Sequence, residues 1–241
     1  IAAMAGDPPL YSVHLSSKEG ILEVMKARAA HQKNFAVETC TQYLTLTDEM
    51  YEDDIEGFKA ILSPPLRKEE DIEAMWQALR DNVLDTIGTD HCPFNFTTKK
   101  QAGANDFTAC PNGAPGVEER LRVIFSEGVQ KGRITLPQMV KYLSTNPSRM
   151  YGMYPQKGTL LPGSDADVVI LDPNKERTLT HVDMHSAVDY TCYEGMKVKG
   201  DIDLVLLRGR VIVKDNEFLG NKGDGKYLKR HKSVLAETGS C

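Results

Sequence analysis

Between residues 10 and 130, short β-like runs alternate with amphipathic helical stretches, and this alternation constrains the fold more than any other feature. Residues 10–14, 35–40 and 83–90 read as strands that run into polar residues. Between the first two, Ser16 and Glu19 spell a capping box, and Ile21, Leu22, Met25 and Ala29 follow at helical spacing. Residues 41–67 read as irregular or partly helical. A helix over 68–82 carries Ile72, Met75, Trp76, Leu79 and Val83 on one face, which makes that stripe core. Residues 91–116, rich in Gly, Pro, Asn and Thr, read as a long loop of the functional or mobile kind. A helix over 117–130 follows. Another starts at Thr135, with a Thr-x-x-Gln box and Pro137 in its first turn, and runs to Asn146-Pro147. Alternation of this kind puts parallel strands inside and helices outside. Only about three units are present, whereas an eight-fold barrel takes roughly 250 residues. The chain therefore holds well under half of a barrel, or else a small open sheet of three strands.

Near residue 156 the pattern changes. Gly158, Pro162 and Gly163 precede a β run over 167–172, with Pro173 read as its stop. Residues 204–213 read as two strands joined by a turn at Arg208-Gly209. The expected organisation is a barrel segment at 1–155, a β-sandwich segment at 156–220 and a polar basic tail at 221–241.

Composition narrows the functional classes. With 41% hydrophobic and 26% charged residues there is enough apolar surface for a core. Against 34 Asp and Glu stand 29 Lys and Arg, a net charge of −5, so no general basic field points to nucleic acid or an anionic membrane as partner. No run approaches the roughly 20 apolar residues of a membrane helix. The five cysteines, at 40, 92, 110, 192 and 241, are odd in number and widely spaced. They read as reduced thiols of a cytoplasmic protein, not as a disulfide scaffold or a structural zinc knuckle. Ile1 to Gly6 lacks the basic and apolar stretches of a secretory signal, and a start on Ile1 hints at a missing upstream segment.

Two residues stand where a parallel barrel does its chemistry. His14 closes the first strand and Asp90 the third, and catalytic groups of such barrels come from the C-terminal strand ends. Imidazole and carboxylate both bind zinc, and a carboxylate can also move a proton. Taken alone, His14 reads rather as a strand-end histidine without a metal, and Asp90 as a turn or cap carboxylate beside His91.

Longer motifs add to this. Gly88-Thr-Asp90-His91-Cys92-Pro93-Phe94 resembles the eighth-strand motif of the cyclic amidohydrolases, the dihydropyrimidinase and hydantoinase family. Val13-His14-Leu-Ser-Ser resembles the sixth-strand metal histidine, and Val37-Glu38-Thr39-Cys40-Thr-Gln-Tyr43-Leu44 the seventh strand. Ser63-Pro64-Pro65-Leu66-Arg67, and Asn105-Asp106-Phe107 through Pro111-Asn112-Gly113, resemble the family's substrate-side loops. Asn146-Pro147-Ser-Arg-Met-Tyr-Gly152, then Lys157-Gly158 and Gly163-Ser-Asp165-Ala-Asp167-Val-Val, resembles the family's ending, where the barrel closes into a small β-sandwich.

The resemblance implies an α/β fold: the C-terminal part, strands 6–8, of a TIM-like (β/α)8 metal-dependent hydrolase barrel, plus a β-sandwich segment. It implies that His14 ligates one metal of a binuclear zinc site. Asp90 would bind the other metal and act as general base and then acid. Ser63 and Asn112 would hold a small cyclic amide or imide, largely through their backbone groups. The reaction implied is opening of the cyclic C–N bond of 5,6-dihydropyrimidines or hydantoins to N-carbamoyl amino acids, in a cytoplasmic homotetramer. The family's His-x-His, carboxylated lysine, fifth-strand histidine and substrate tyrosine have no match here. The chain is therefore expected to be inactive without the missing half.

Other signals are weaker. Gly220 to Lys226 comes near a phosphate loop, but Tyr227 stands where Ser or Thr belongs. The basic tail, Lys226, Lys229, Arg230, His231 and Lys232, reads either as a solvated terminus or as a subunit contact. Two rivals stand beside the main reading. One is an allantoinase or dihydroorotase. The other is a metal-free, cytoskeleton-associated relative of dihydropyrimidinase, against which the retention of His14 and Asp90 argues.

Overall fold

The computed structural model describes residues 1–30, 32 and 34–233. His31, Cys241 and the end of the basic tail lie outside the described residues.

Three short strands, β1 (Leu10–Ser12), β2 (Phe35–Cys40) and β3 (Thr86–Gly88), form a parallel sheet in that order. Tyr11 lies opposite Ala36, Glu38 opposite Thr86, and Cys40 opposite Gly88. Side chains alternate across a strand. Val37 therefore faces a core with Ile21, Val24, Trp76 and Ile87, while Ala36, Glu38 and Cys40 face the other way. β3 is shorter than its sequence pattern. The Asp85 carboxylate accepts from Val37 N at 2.7 Å, and Val83 N still bonds back to Ala78 O of the preceding helix.

The crossovers are α1 (Lys18–Ala29) and α2 (Glu69–Arg80). The cap of α1 is Ser17, whose Oγ accepts from Gly20 N, and not Ser16 as expected. Ser16 is buried instead, its Oγ accepting from Arg67 Nε. Ile21 and Val24 take the core side of α1. Leu22 and Met25 lie further round the helix and stay about half exposed, so the expected stripe is displaced. α2 matches its pattern: Ile72, Met75, Trp76 and Leu79 are all buried, and Trp76 Nε1 donates to Leu44 O at 2.9 Å.

Residues 91–116 are not all loop. They contain α3 (Phe96–Gly103), which has no apolar stripe to announce it and is anchored by Phe96 N donating to Asp189 Oδ1 at 2.6 Å. Next, α4 (Arg120–Ile124) widens into a π-helical turn at Phe125–Gln130. The Thr135 box forms as read, with Thr135 and Gln138 capping each other at the start of α5 (Leu136–Val140). The helix does not end at Asn146-Pro147. A second π-helical turn at Lys141–Thr145 leads into α6 (Asn146–Met150). Pro147 sits at the start of that helix, where its missing N–H costs least.

An antiparallel sheet follows in the order β4 (Val168–Thr178), β5 (Lys197–Leu207), β6 (Arg210–Lys214) and β7 (Glu217–Phe218). Pro173 does not stop β4. It falls in a register shift between Asp172 and Glu176, where no ladder N–H is required. The Arg208-Gly209 turn forms as read, with both residues at positive φ, the geometry of a two-residue hairpin. The sheet is clamped to α4 by the buried pair Arg122 Nε and Asp201 Oδ1 at 2.6 Å. Along the basic tail, His231 N donates to Gly152 O at 2.8 Å. Among the described residues no helix is long and apolar enough to cross a membrane.

Candidate active site

His14 and Asp90 lie just past the C-terminal ends of β1 and β3, with β2 between them. Two strand spacings separate their strands, about 9–10 Å. His14 is half-buried and Asp90 exposed. Both hold left-handed backbones, φ 42° and 49°. Such values are uncommon outside glycine and persist only where neighbours enforce them. Here the neighbours are visible. Leu15 N donates to Glu38 O at 2.8 Å, and Thr39 Oγ1 donates to Leu15 O at 2.9 Å, which pins the residue after His14 to β2. On the other side, Thr41 Oγ1 donates to Gly88 O at 3.3 Å.

Below these ends the inward face of the sheet is polar. Tyr11 Oη donates to Glu38 Oε2 at 2.6 Å and lies 2.7 Å from Thr86 Oγ1. Burial, then the Glu38 carboxylate, push the Tyr11 phenol well above its ordinary range. Arg120 Nη1 donates to Ile87 O at 3.2 Å, and burial lowers its pKa against the pull of Glu38. The Cys40 thiol is raised by burial and by the charges of Glu38 and Asp90. Sequence reasoning placed Glu38 only within a strand motif and did not single out Tyr11 or Arg120. The one signal was a carboxylate in the middle of a largely apolar strand.

Two loops approach from the side. Ser63 and Asn112, 49 residues apart, meet through Asn112 Nδ2 donating to Ser63 Oγ at 2.9 Å. The Ser63-Pro64 peptide is cis, and Tyr43 Oη donates to Pro64 O at 2.7 Å. The Asn112 loop runs against the segment after Asp90. Cys92 N donates to Ala114 O, and a Cβ on Gly113 would stand 2.5 Å from Cys92 O. His91 Nδ1 accepts from Gly116 N at 3.1 Å and Val117 N at 3.3 Å, so this ring nitrogen serves the backbone. A surface cleft lined by Tyr51, Ser63, Pro65, Phe107 and Asn112 opens beside the two loops.

Two other histidines pair with glutamates elsewhere, and His231 lies on the basic tail. His181 Nδ1 lies 3.0 Å from Glu194 and His185 Nδ1 2.8 Å from Glu118. Among the described residues no group of three or more His, Cys, Asp or Glu could hold a metal. His14 and Asp90 fit as two donors of a metal site but do not close one, since zinc sites take three or four protein ligands. The Gly220–Lys226 stretch makes a turn, Asn221 N to Asp224 Oδ2, and among the described residues no helix follows it to receive a phosphate.

Comparison with known proteins gives the family of the chain. The Amidohydrolase family matches residues 11–212. A D-hydantoinase from Ralstonia pickettii is 48% identical over 225 residues, covering 93% of this chain and 49% of that one. A D-phenylhydantoinase from Escherichia coli O1:K1 is 44% identical over 234 residues, covering 97% and 50%. The solved dihydropyrimidinase from Brevibacillus agri superposes with a TM-score of 0.93 at 44% identity, over 97% of this chain and 50% of that one. The L-hydantoinase from Arthrobacter aurescens does so at 0.84 and 32% identity, over 92% and 48%. The chain thus spans about half the length of the curated relatives it matches. Its mixed α/β fold, with parallel strands and an antiparallel sheet, is that of half a hydantoinase-type structure. With the match running from β1 into β6 and taking in both His14 and Asp90, the chain belongs to the amidohydrolase family.

Proposed function

We propose that this chain is the C-terminal half of a cyclic amidohydrolase that opens the ring C–N bond of 5,6-dihydropyrimidines or hydantoins, giving N-carbamoyl amino acids. One observation carries the reading. A histidine and an aspartate end two parallel strands while a Ser63–Asn112 bridge stands beside the segment that follows the aspartate. The names of the relatives, D-hydantoinase, D-phenylhydantoinase and dihydropyrimidinase, support this substrate class over allantoin or dihydroorotate.

The chemistry divides among the residues as follows. A cyclic imide presents alternating C=O and N–H groups along one edge. Backbone amides of Ser63 and Asn112 complement that edge with donors and acceptors. The oxygen of a water forms a bond to the ring carbonyl carbon, and the ring C–N bond breaks. Asp90 takes the proton released by the water and returns it to the departing nitrogen. The family is generally metal-dependent. His14 and Asp90 are the donors this chain would lend to a binuclear zinc site, and the remaining donors would come from the other half. When bound, such ions polarise a carbonyl and bring the pKa of water from 15.7 toward about 7. The same reading makes the enzyme a cytoplasmic homotetramer.

The test is made on the full-length protein. Release of N-carbamoyl product from dihydrouracil or hydantoin supports the reading, and light scattering at four times the full-length mass supports the tetramer. Turnover of allantoin or dihydroorotate alone would move the assignment to the related enzymes. No turnover of any of the four rings, with the fold intact, would favour the non-catalytic relative.

A further inference from the structure

Lys99 has no exposed surface, and among the described residues it is the only lysine so buried. The other buried charges have side-chain partners: Arg122 lies against Asp201, Asp85 against Arg28, and Glu119 accepts from Thr191. Lys99 Nζ is held by two backbone carbonyls instead, Ile61 O at 3.0 Å and Gly113 O at 2.7 Å. Its third side faces the Tyr190 ring, 5.9 Å from the centroid. Burial pushes its ammonium below the ordinary lysine range. Either protonation state keeps at least two N–H bonds, which is what two carbonyls need.

Those two carbonyls are not arbitrary. Ile61 precedes Ser63 by two residues, and Gly113 follows Asn112 directly. Ile61 O also accepts from Gly113 N at 3.0 Å, and Ser63 and Asn112 touch through their side chains. Gly113, at φ 144°, is pressed on Cys92, two residues past Asp90. Without a donor at position 99, Ile61 O would keep Gly113 N, but no hydrogen bond would hold Gly113 O. We propose that Lys99 is a positioning residue: it staples the Ser63 loop to the Asn112 loop and so sets the spacing on which binding of the cyclic imide depends. The inference rests on the function proposed above. It assigns the lysine no contact with substrate.

The experiment compares wild type, Lys99→Met and Lys99→Gln in the full-length protein. Two readouts are taken: kcat and KM on dihydrouracil, and hydrogen exchange over residues 61–63 and 111–116. Methionine keeps the apolar stem, one atom shorter, and removes every donor. Glutamine is neutral and one atom shorter, and its amide keeps two N–H bonds with which to reach for the two carbonyls. Lys99→Met is expected to raise KM at least tenfold with kcat within threefold, and to speed exchange in both loop segments at least tenfold. Lys99→Gln is expected to stay within threefold of wild type in KM and exchange. Unchanged KM and exchange in Lys99→Met would overturn the proposal. So would a Lys99→Gln protein of unchanged Tm whose KM rises tenfold, and this second arm decides even where Lys99→Met fails to fold. A wild-type protein that opens no cyclic imide would overturn the functional reading, and with it any role of Lys99 in substrate binding. The exchange data would still decide the staple.

Discussion

His14 and Asp90 share one unusual backbone conformation, φ 42° and 49°, each two residues past the end of its parallel strand. An L-residue pays roughly 1–2 kcal/mol for the left-handed region, and glycine does not. Asp90→Gly is therefore expected to be about 1 kcal/mol more stable than Asp90→Ala, and His14→Gly likewise against His14→Ala. Urea unfolding of the four variants checks this. An alanine variant as stable as its glycine counterpart would mean that the strand end relaxes freely.

Glu38 and Gly88 form the next constraint. A Cβ on Gly88 would stand 2.6 Å from the Glu38 carboxylate, which itself accepts from Tyr11. Gly88→Ala must displace that carboxylate, and overpacking of this kind costs about 1–3 kcal/mol. Denaturation measures the loss. A Gly88→Ala protein of wild-type stability would show that Glu38 moves aside without cost.

Asp201 joins the antiparallel sheet to α4 through Arg122, and β5 to β4 through Arg177. Burial alone would raise its carboxyl, but Arg122 at 2.6 Å and Arg177 at 2.8 Å hold it below the ordinary aspartate value. A carboxylate depressed on folding stabilises the native state above its unfolded pKa of about 3.9 and loses that contribution as pH falls through the lower folded value. Acid is thus expected to weaken the protein below pH about 4. Asp201→Asn leaves Arg122 buried without its counter-charge. It is expected to cost about 3–5 kcal/mol at pH 7 and to flatten the acid limb of the stability profile. A variant whose profile parallels wild type below pH about 4 would remove Asp201 from that limb.

Cys92 is the exposed thiol among the four described cysteines, while Cys40, Cys110 and Cys192 are buried. Burial raises those three, Cys192 to about 12. Thiolate, not thiol, reacts. Iodoacetamide is expected to label Cys92 first of the four. Its Sγ would stand 3.0 Å from a Gly113 Cβ, so the adduct should disturb the Asn112 loop and slow ring opening, with saturating hydantoin protecting. Peptide mass spectrometry follows the order of labelling. Full activity after stoichiometric labelling at Cys92 would contradict the loop argument.

The sequence pattern was legible where structure is set locally. The 72/75/76/79 stripe of α2, the Thr135–Gln138 box and the Arg208-Gly209 turn each depend on neighbours a few residues away. α1 was right as a helix, but its cap and buried face shifted, because Ser16 is drawn inward by Arg67 from another loop. α3 was illegible, since its one buried cation, Lys99, is stabilised by carbonyls 38 and 14 residues away. Pro173 misled because a bulge can absorb a proline in a strand. At the site, strand-end position pointed to His14 and Asp90 as candidates. Ser63 and Asn112 came from resemblance alone, and the structure brings those two into contact. The Tyr11–Glu38–Thr86 contacts and the Ile87 carbonyl taken by Arg120 join segments as far as 75 residues apart, which no local pattern encodes.

The central claim is that Asp90 moves the proton in ring opening, and Asp90→Asn tests it most directly. Asparagine tolerates the left-handed backbone and keeps the size of the side chain, so the fold should persist. The measurement is N-carbamoyl product formed from dihydrouracil by full-length wild type and variant of matched Tm. The expected result is a fall in kcat of at least about 10²-fold, the scale of lost acid–base catalysis. Wild-type turnover by Asp90→Asn would contradict the assignment.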